Sequence, residues 1–292
     1  MIEERFKKIR NILWWILVLN WLVAFLKIIY GYTSKTNSML ADGFHSFSDG
    51  ASNIIGIIGI LIAARPADEN HPYGHKKYET FSSIAISMLL LLIAFNIIRS
   101  AVIRFANPVV PEVNLFSFLV MAATIAVNFF VFYYERKKSR ALLSDILYAD
   151  AQHTKSDIFV SLSVIFTLFA IKMGFPTLDA IVAMVISFLI AKAAIDILRA
   201  SSYVLCDSVA IVSDKVRAVV MQINGVKECH QIRTRGRSDD IHLDLHVLVD
   251  ASMHVDAAHS ITEIIEQKLK KEIDGVTDVI VHVEPLSRIK GR

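Results

Sequence analysis

Long apolar stretches at 12–32, 38–64, 78–105, 115–134, 147–172 and 177–198 constrain this chain more than any other feature. A helix needs about 20 mostly apolar residues to cross the hydrocarbon core of a bilayer. Inside that core only a helix or a closed barrel satisfies its own backbone N–H and C=O groups. The stretches predict a bundle of six transmembrane helices over residues 1–206. Helix-stopping residues separate them: Pro66, Pro72 and Gly74 in 65–77, Pro108 and Pro111 in 107–112, and the turn 174–176. The mean hydropathy of +0.49, with 54% apolar residues, is too high for an ordinary soluble chain. The excess stops near residue 206, where charges begin to mix into short apolar runs, so 207–292 reads as a separate soluble domain.

Lys and Arg orient the bundle. Arg5, Lys7, Lys8 and Arg10 precede the first span, Arg65, Lys76 and Lys77 follow the second, and Arg136, Lys137, Lys138 and Arg140 follow the fourth. The other side holds Lys35, Arg104 and Lys172, with Arg99 near a span end. The positive-inside rule then makes both termini cytoplasmic in a multi-pass protein of the cell (plasma or inner) membrane. An even number of spans agrees. The N-terminal segment mixes acids with bases and no small-residue cleavage site follows, so the first apolar stretch reads as a span and not a signal peptide. Cys206 and Cys229 form no CxxC pair, which excludes a disulfide framework and suits a reducing compartment. No nucleotide, phosphate or nucleic-acid motif is visible, and no nucleic-acid partner is expected.

Spans two and five carry ionisable residues where lipid disfavours them. Span two contains Asp42, His45 and Asp49, and span five contains Asp150, His153 and Asp157, in the same D-x-x-H-x-x-x-D spacing. Positions four apart share a helix face, so His45 points with Asp49 and His153 with Asp157. A charged Asp at the centre of a membrane helix costs about 2.5–3.5 kcal/mol on insertion scales. A matched pair of such faces calls for compensation. Two imidazoles and two carboxylates make a tetrahedral nitrogen and oxygen set that zinc accepts, and a divalent cation cancels both carboxylate charges. The alternatives are hydrogen-bonded packing and a proton relay without metal. Asp42 and Asp150 are read as supporting or helix-end residues.

With its flanks L-A-D-G-F-H-S-F-S-D and H-T-K-S-D, this pattern resembles the cation diffusion facilitator family of metal–proton antiporters, over nearly the whole chain. The resemblance implies a homodimer, with one transport site per protomer at His45, Asp49, His153 and Asp157. A two-His, two-Asp set points within the family to zinc as substrate, with iron, manganese, cobalt and cadmium open. The loop residues Asp68, His71 and His75 resemble a zinc-binding loop of family members, and the alternative is a polar loop that only docks on the tail. Some members carry a long His-rich loop after span four. Here 135–140 reads as a short basic loop instead.

The tail reads as helix 213–224, strand 226–235, a polar turn, strand 240–250, helix 255–273 and strand 276–284. This αββαβ order predicts a small α+β domain and resembles the ferredoxin-like, metallochaperone-like tail of the same family. His230, His246, His259, His282 and Glu284 match positions where that tail binds a structural or regulatory metal, and the alternative is a polar dimer surface with no ion. His242 shares a strand face with His246.

Metal ligands must be deprotonated, and free His and Asp titrate near about 6.5 and 3.9, so protons compete with metal at these groups. Alternating access then gives cation efflux by proton antiport. The rivals are an intramembrane metallohydrolase, a membrane-anchored metal sensor and a passive cation channel. A hydrolase needs an open coordination position and a general base, whereas four ligands close the shell and no H-E-x-x-H is present, so no enzyme is expected.

Overall fold

The computed structural model describes residues 2–33, 37–106, 115–172 and 177–286, so the breaks at 107–112 and 174–176 lie outside the described residues. The chain forms two compact units, Met1–Ser201 and Ser202–Arg292. The first is built from α1 (Ile2–Thr33), α2 (Asn37–Ala63), α3 (Lys77–Ala106), α4 (Leu115–Ala141), α5 (Asp145–Lys172) and α6 (Thr177–Leu205). The six helices and the αββαβ unit after them agree with the fold class read from the sequence.

One loop expected from the sequence is helix. Residues 135–140 continue α4, because no Pro or Gly interrupts Glu135 to Ala141 and Arg and Lys are good helix formers. The chain turns after Ala141 instead, where Leu143 adopts φ 48°, and the Ser144 hydroxyl accepts a hydrogen bond from Leu147 N–H (3.3 Å) at the start of α5.

The bundle is apolar outside as well as inside. Leu13, Leu17, Ile60, Ile86, Leu90, Ile146, Leu147 and Ile190 form its buried core. Trp15, Leu26, Phe95, Phe130 and Phe188 face outward, the surface expected against lipid. Polar side chains turn inward: Ser52, Asn53, Glu79, Glu135, Asp150 and Thr154 are all buried. Among the described residues, Glu4–Ile29 and Lys77–Ile103 are long and apolar enough to cross a membrane. In α2 the described apolar run is Gly50–Ala63.

Small residues set how closely these helices approach, since lipid gives packing no hydrophobic drive. A Cβ on Gly59 of α2 would stand 1.8 Å from Ser82 Oγ of α3, and one on Gly56 would stand 2.8 Å from Ile146 Cγ2 of α5. At the end of the bundle, Arg5 joins several elements. Its Nη2 meets Glu79 Oε2 at 3.0 Å, and its Nε and Nη2 donate to the carbonyls of Leu142 (2.7 Å) and Leu143 (2.9 Å).

The second unit comprises α7 (Ser213–Val220), β1 (Glu228–Arg237), β2 (Asp240–Val249), α8 (Val255–Glu272) and β3 (Val276–Pro285). The sheet order is β1-β2-β3, with β1 antiparallel and β3 parallel to β2. Alternation along β2 sends Ile241, Leu243, Leu245 and Val247 into a core with Val216, Val220, Ile261, Ile265 and Leu269 of the two helices. The polar turn is tighter than expected: Arg237 pairs with Asp240, so two residues connect β1 and β2. At Gln231 (φ 47°) β1 bulges, and the pairing steps from His230↔His246 to Arg233↔Asp244. The bulge keeps His230, Arg233 and Arg235 on the sheet face away from the helices, while Cys229 and Thr234 stay buried.

Candidate metal centres

His153 and Asp157 lie one turn apart on α5, with Nδ1 3.4 Å from Asp157 Oδ2 and the imidazole nearly sealed at 5% exposure. Tetrahedral ligands about 2.0–2.1 Å from zinc stand about 3.3–3.4 Å from each other. The α5 pair is therefore spaced to share an ion. His45 and Asp49 fall on α2, but their side chains, like that of Asp42, lie outside the described residues.

The contact between α2 and α5 is described, and it lies close to both halves of the motif. Ser52 donates to Asp150 Oδ1 (2.7 Å), and Asn53 donates to Asp150 Oδ2. Asn53 in turn accepts from Asn20 of α1 (3.1 Å). Ser52 and Asn53 follow Asp49 by about one helical turn, and Asp150 precedes His153 by about one turn. Lys27 of α1 is buried, with its ammonium on Ser46 Oγ (2.9 Å), next to His45 in the chain.

In the loop between α2 and α3, Asp68, His71 and His75 converge, with one ligand atom from each within 4.8 Å of the others. His71 Nδ1 and His75 Nε2 each lie 3.4 Å from an Asp68 oxygen, and the two rings are 4.4 Å apart. The backbone N–H groups of His71 (2.7 Å) and Asn70 (3.0 Å) donate to Asp68 Oδ1. The His71 amide bond is the main reason the Asp68 carboxyl is held below its ordinary range. His75 Nδ1 is 3.0 Å from the Pro66 carbonyl, which can only accept. Nδ1 therefore donates to Pro66, which leaves Nε2 as the ring nitrogen that faces Asp68 and could serve as a metal ligand.

On the sheet, register brings His230, His246 and His282 into one row across the three strands. His230, His246 and Glu284 have ligand atoms within 4.8 Å of one another. His246 Nδ1 is 2.9 Å from Glu284 Oε1, while His230 Nε2 and His282 Nε2 are each 3.6 Å from a Glu284 oxygen. The His246 hydrogen bond pulls the Glu284 carboxyl below its ordinary range. His259 is not part of this group; it is exposed on α8 and pairs with Glu263 at 3.5 Å. His242 stands in a different row, with Asp278 3.4 Å from Nδ1 and Asp240 3.7 Å from Nε2. Its hydrogen bond to Asp240, more than any other contact, raises the His242 pKa.

Sequence reasoning missed Ser52, Asn53, Asn20 and Lys27 as partners of the ionisable residues, because it gives no rotational phase between helices. It passed over Glu135 by ending the fourth span at residue 134. The uninterrupted helix formers from Glu135 to Ala141 were the available signal.

Comparison with known proteins identifies the family. Residues 13–206 match the model of the cation efflux transmembrane domain, and residues 210–286 match that of the cation efflux protein cytoplasmic domain. An uncharacterized transporter of Methanocaldococcus jannaschii is 33% identical over 91% of this chain and 94% of its own. The manganese efflux system protein MneS of Bacillus subtilis is 28% identical over 90% of this chain and 91% of its own. A crystal structure of the cytosolic domain of a cation diffusion facilitator family protein is 34% identical over 25% of this chain and 88% of that one, with a TM-score of 0.24. The chain is thus a membrane protein that effluxes metal cations, not an enzyme, and it belongs to the cation efflux, or cation diffusion facilitator, family.

Proposed function

We propose that this transporter exports zinc from the cytosol in exchange for protons, through a site formed by His45 and Asp49 of α2 with His153 and Asp157 of α5. The observation that carries the reading is the α5 pair, a buried His153 and a half-buried Asp157 separated by 3.4 Å, the edge of a tetrahedral zinc shell. The bonds from Ser52 and Asn53 to Asp150 support it by joining α2 and α5 within about a turn of both halves. Opened to the cytosol, the site takes the cation and gives up protons. Opened to the far side, it exchanges them back. In this reading the protein is a homodimer with both termini cytoplasmic, Asp68, His71 and His75 hold a second ion, and His230, His246 and Glu284 hold a third, with His282 beside them.

A second reading, manganese export by the same cycle, is favoured by the relative named as a manganese efflux protein. Iron, cobalt and cadmium follow as further substrates. Metal-driven proton movement in proteoliposomes, run in parallel with zinc, manganese, iron, cobalt and cadmium, separates these readings. Zinc is expected to give the highest kcat/KM, and Asp157→Ala to abolish the flux while the protein stays folded. A higher value for manganese would replace zinc as the substrate, and flux without proton counter-movement would replace antiport with a channel.

A further inference from the structure

Glu135 stands on α4 with no solvent exposure, a position a carboxylate tolerates only when its charge is compensated. Its Oε2 accepts a hydrogen bond from Thr154 of α5 (3.0 Å), while Oε1 is equally sealed and receives none. The adjacent group is another acid. The Asp150 carboxyl, in a residue 1% exposed, lies within hydrogen-bonding reach of Glu135. Asp150 already accepts from Ser52 (2.7 Å) and from Asn53.

The balance of donors and acceptors decides what lies between the two acids. An ionised carboxylate only accepts, whereas a protonated one donates one O–H. Two ionised carboxylates would meet with no donor between them, as like charges in a space closed to water. A proton on Glu135 supplies that donor. It bonds to Asp150, which remains the acceptor for Ser52 and Asn53, and Glu135 still accepts from Thr154. Other ionisable groups also act on the pair. From α5 these are Asp157, toward Glu135 and Asp150, and His153, toward Asp150. From α2 and α1 come the uncharged Ser52, Asn53 and Asn20. Arg136, beside Glu135 on α4, turns its guanidinium onto the ring of Tyr148 at 4.7 Å.

The geometry points to a proton-binding site separate from the metal ligands, in which Glu135, hydrogen-bonded to Asp150 and Thr154, carries a proton that is exchanged for metal. This rests on the antiport reading above. The pair spans α4 and α5 and is bonded to α2, so a shift among these helices that reopens the metal site also parts the two acids. The proton then leaves Glu135 for water on the side to which the bundle opens, and Glu135 stays ionised until it is reprotonated from the opposite side.

Glu135→Gln tests this, because the amide keeps a donor for Asp150 and an acceptor for Thr154 but has no proton to release. Full-length wild type and variant are compared by infrared spectroscopy for a buried protonated-carboxyl band, and in proteoliposomes for protons moved per zinc ion. The band is expected in wild type and lost in Glu135→Gln, and the variant is expected to move fewer protons per ion. Glu135→Asp, which keeps the acid on a shorter arm, is expected to restore both in part. A band that persists in Glu135→Gln, or a proton count equal to wild type, overturns the inference while antiport stands. A wild type that moves zinc with no proton counter-flow overturns antiport, and the carrier role of Glu135 with it.

Discussion

Ser52 of α2 hydrogen-bonds Asp150 of α5 over 2.7 Å, and that bond links the two helices that carry the paired His and Asp motifs. Asp150 would thus act on the proposed metal site through the helices it joins. Asp150→Ala is expected to weaken apparent metal affinity by about 10–100-fold, the range for residues that orient metal ligands. The metal dependence of transport by reconstituted protein measures it, and an unchanged KM would show that the bond does not position the site.

The Arg5–Glu79 pair should matter for stability. Glu79 is fully buried and Arg5 nearly so, and the guanidinium also holds the carbonyls of Leu142 and Leu143. Removing one partner of a buried pair leaves the other charge uncompensated, at a cost of about 3–5 kcal/mol. Glu79→Ala should lower the unfolding midpoint of the purified protein in detergent well below that of a surface control such as Glu4→Ala.

Close approach at Gly59 predicts a paired effect. A methyl group there meets Ser82 Oγ at 1.8 Å, so Gly59→Ala must push α2 from α3 or force Ser82 aside, an overpacking cost of about 1–3 kcal/mol. Adding Ser82→Gly should recover most of the loss. A double-mutant cycle on thermal stability would show the coupling, and additive losses would place the strain elsewhere.

His75 offers a test of the loop site. With Nδ1 committed to the Pro66 carbonyl, Nε2 is ready to bind a cation beside Asp68. His75→Ala should reduce the number of zinc ions bound per protomer in equilibrium titration while metal transport continues. An unchanged stoichiometry would mean that the loop holds no ion.

His242 gives the tail a pH dependence of known sign. Its pKa is raised above 6.5, mainly by the bond to Asp240, so the charged imidazole favours the folded sheet. That contribution is complete below about pH 6.5, the unfolded value, and fades as pH rises through the raised folded value. Amide exchange in β2 and β3 of the full-length protein, corrected for intrinsic rates, should show protection declining over that window. Asp240→Asn should flatten the decline.

Much of this was legible before any coordinates. Proline and glycine punctuation separated the apolar stretches, and the alternation of Ile241, Leu243, Leu245 and Val247 marked a half-buried strand. Spacing four residues apart placed His153 with Asp157, because both belong to one helix. Contacts between elements were harder to read. Whether Asp150 meets Ser52, or Glu135 meets Thr154, depends on how neighbouring helices are rotated, and no single-helix period carries that information. In the tail, the row of His230, His246 and His282 depends on strand register, and β1 contains an extra residue that simple alternation does not foresee.

That extra residue gives β1 two phases. On either side of Gln231 the same strand obeys opposite parity, so residues an odd number apart can look the same way. Deleting Gln231 would shorten β1 by the bulge residue and leave a regular ladder, with Ile232 opposite Leu245 between His230↔His246 and Arg233↔Asp244. His230, Arg233 and Arg235 would keep the outer face, whereas straightening the strand with Gln231 still in place would turn one half of it over. A one-codon loss would thus straighten this strand without exchanging its inside and outside.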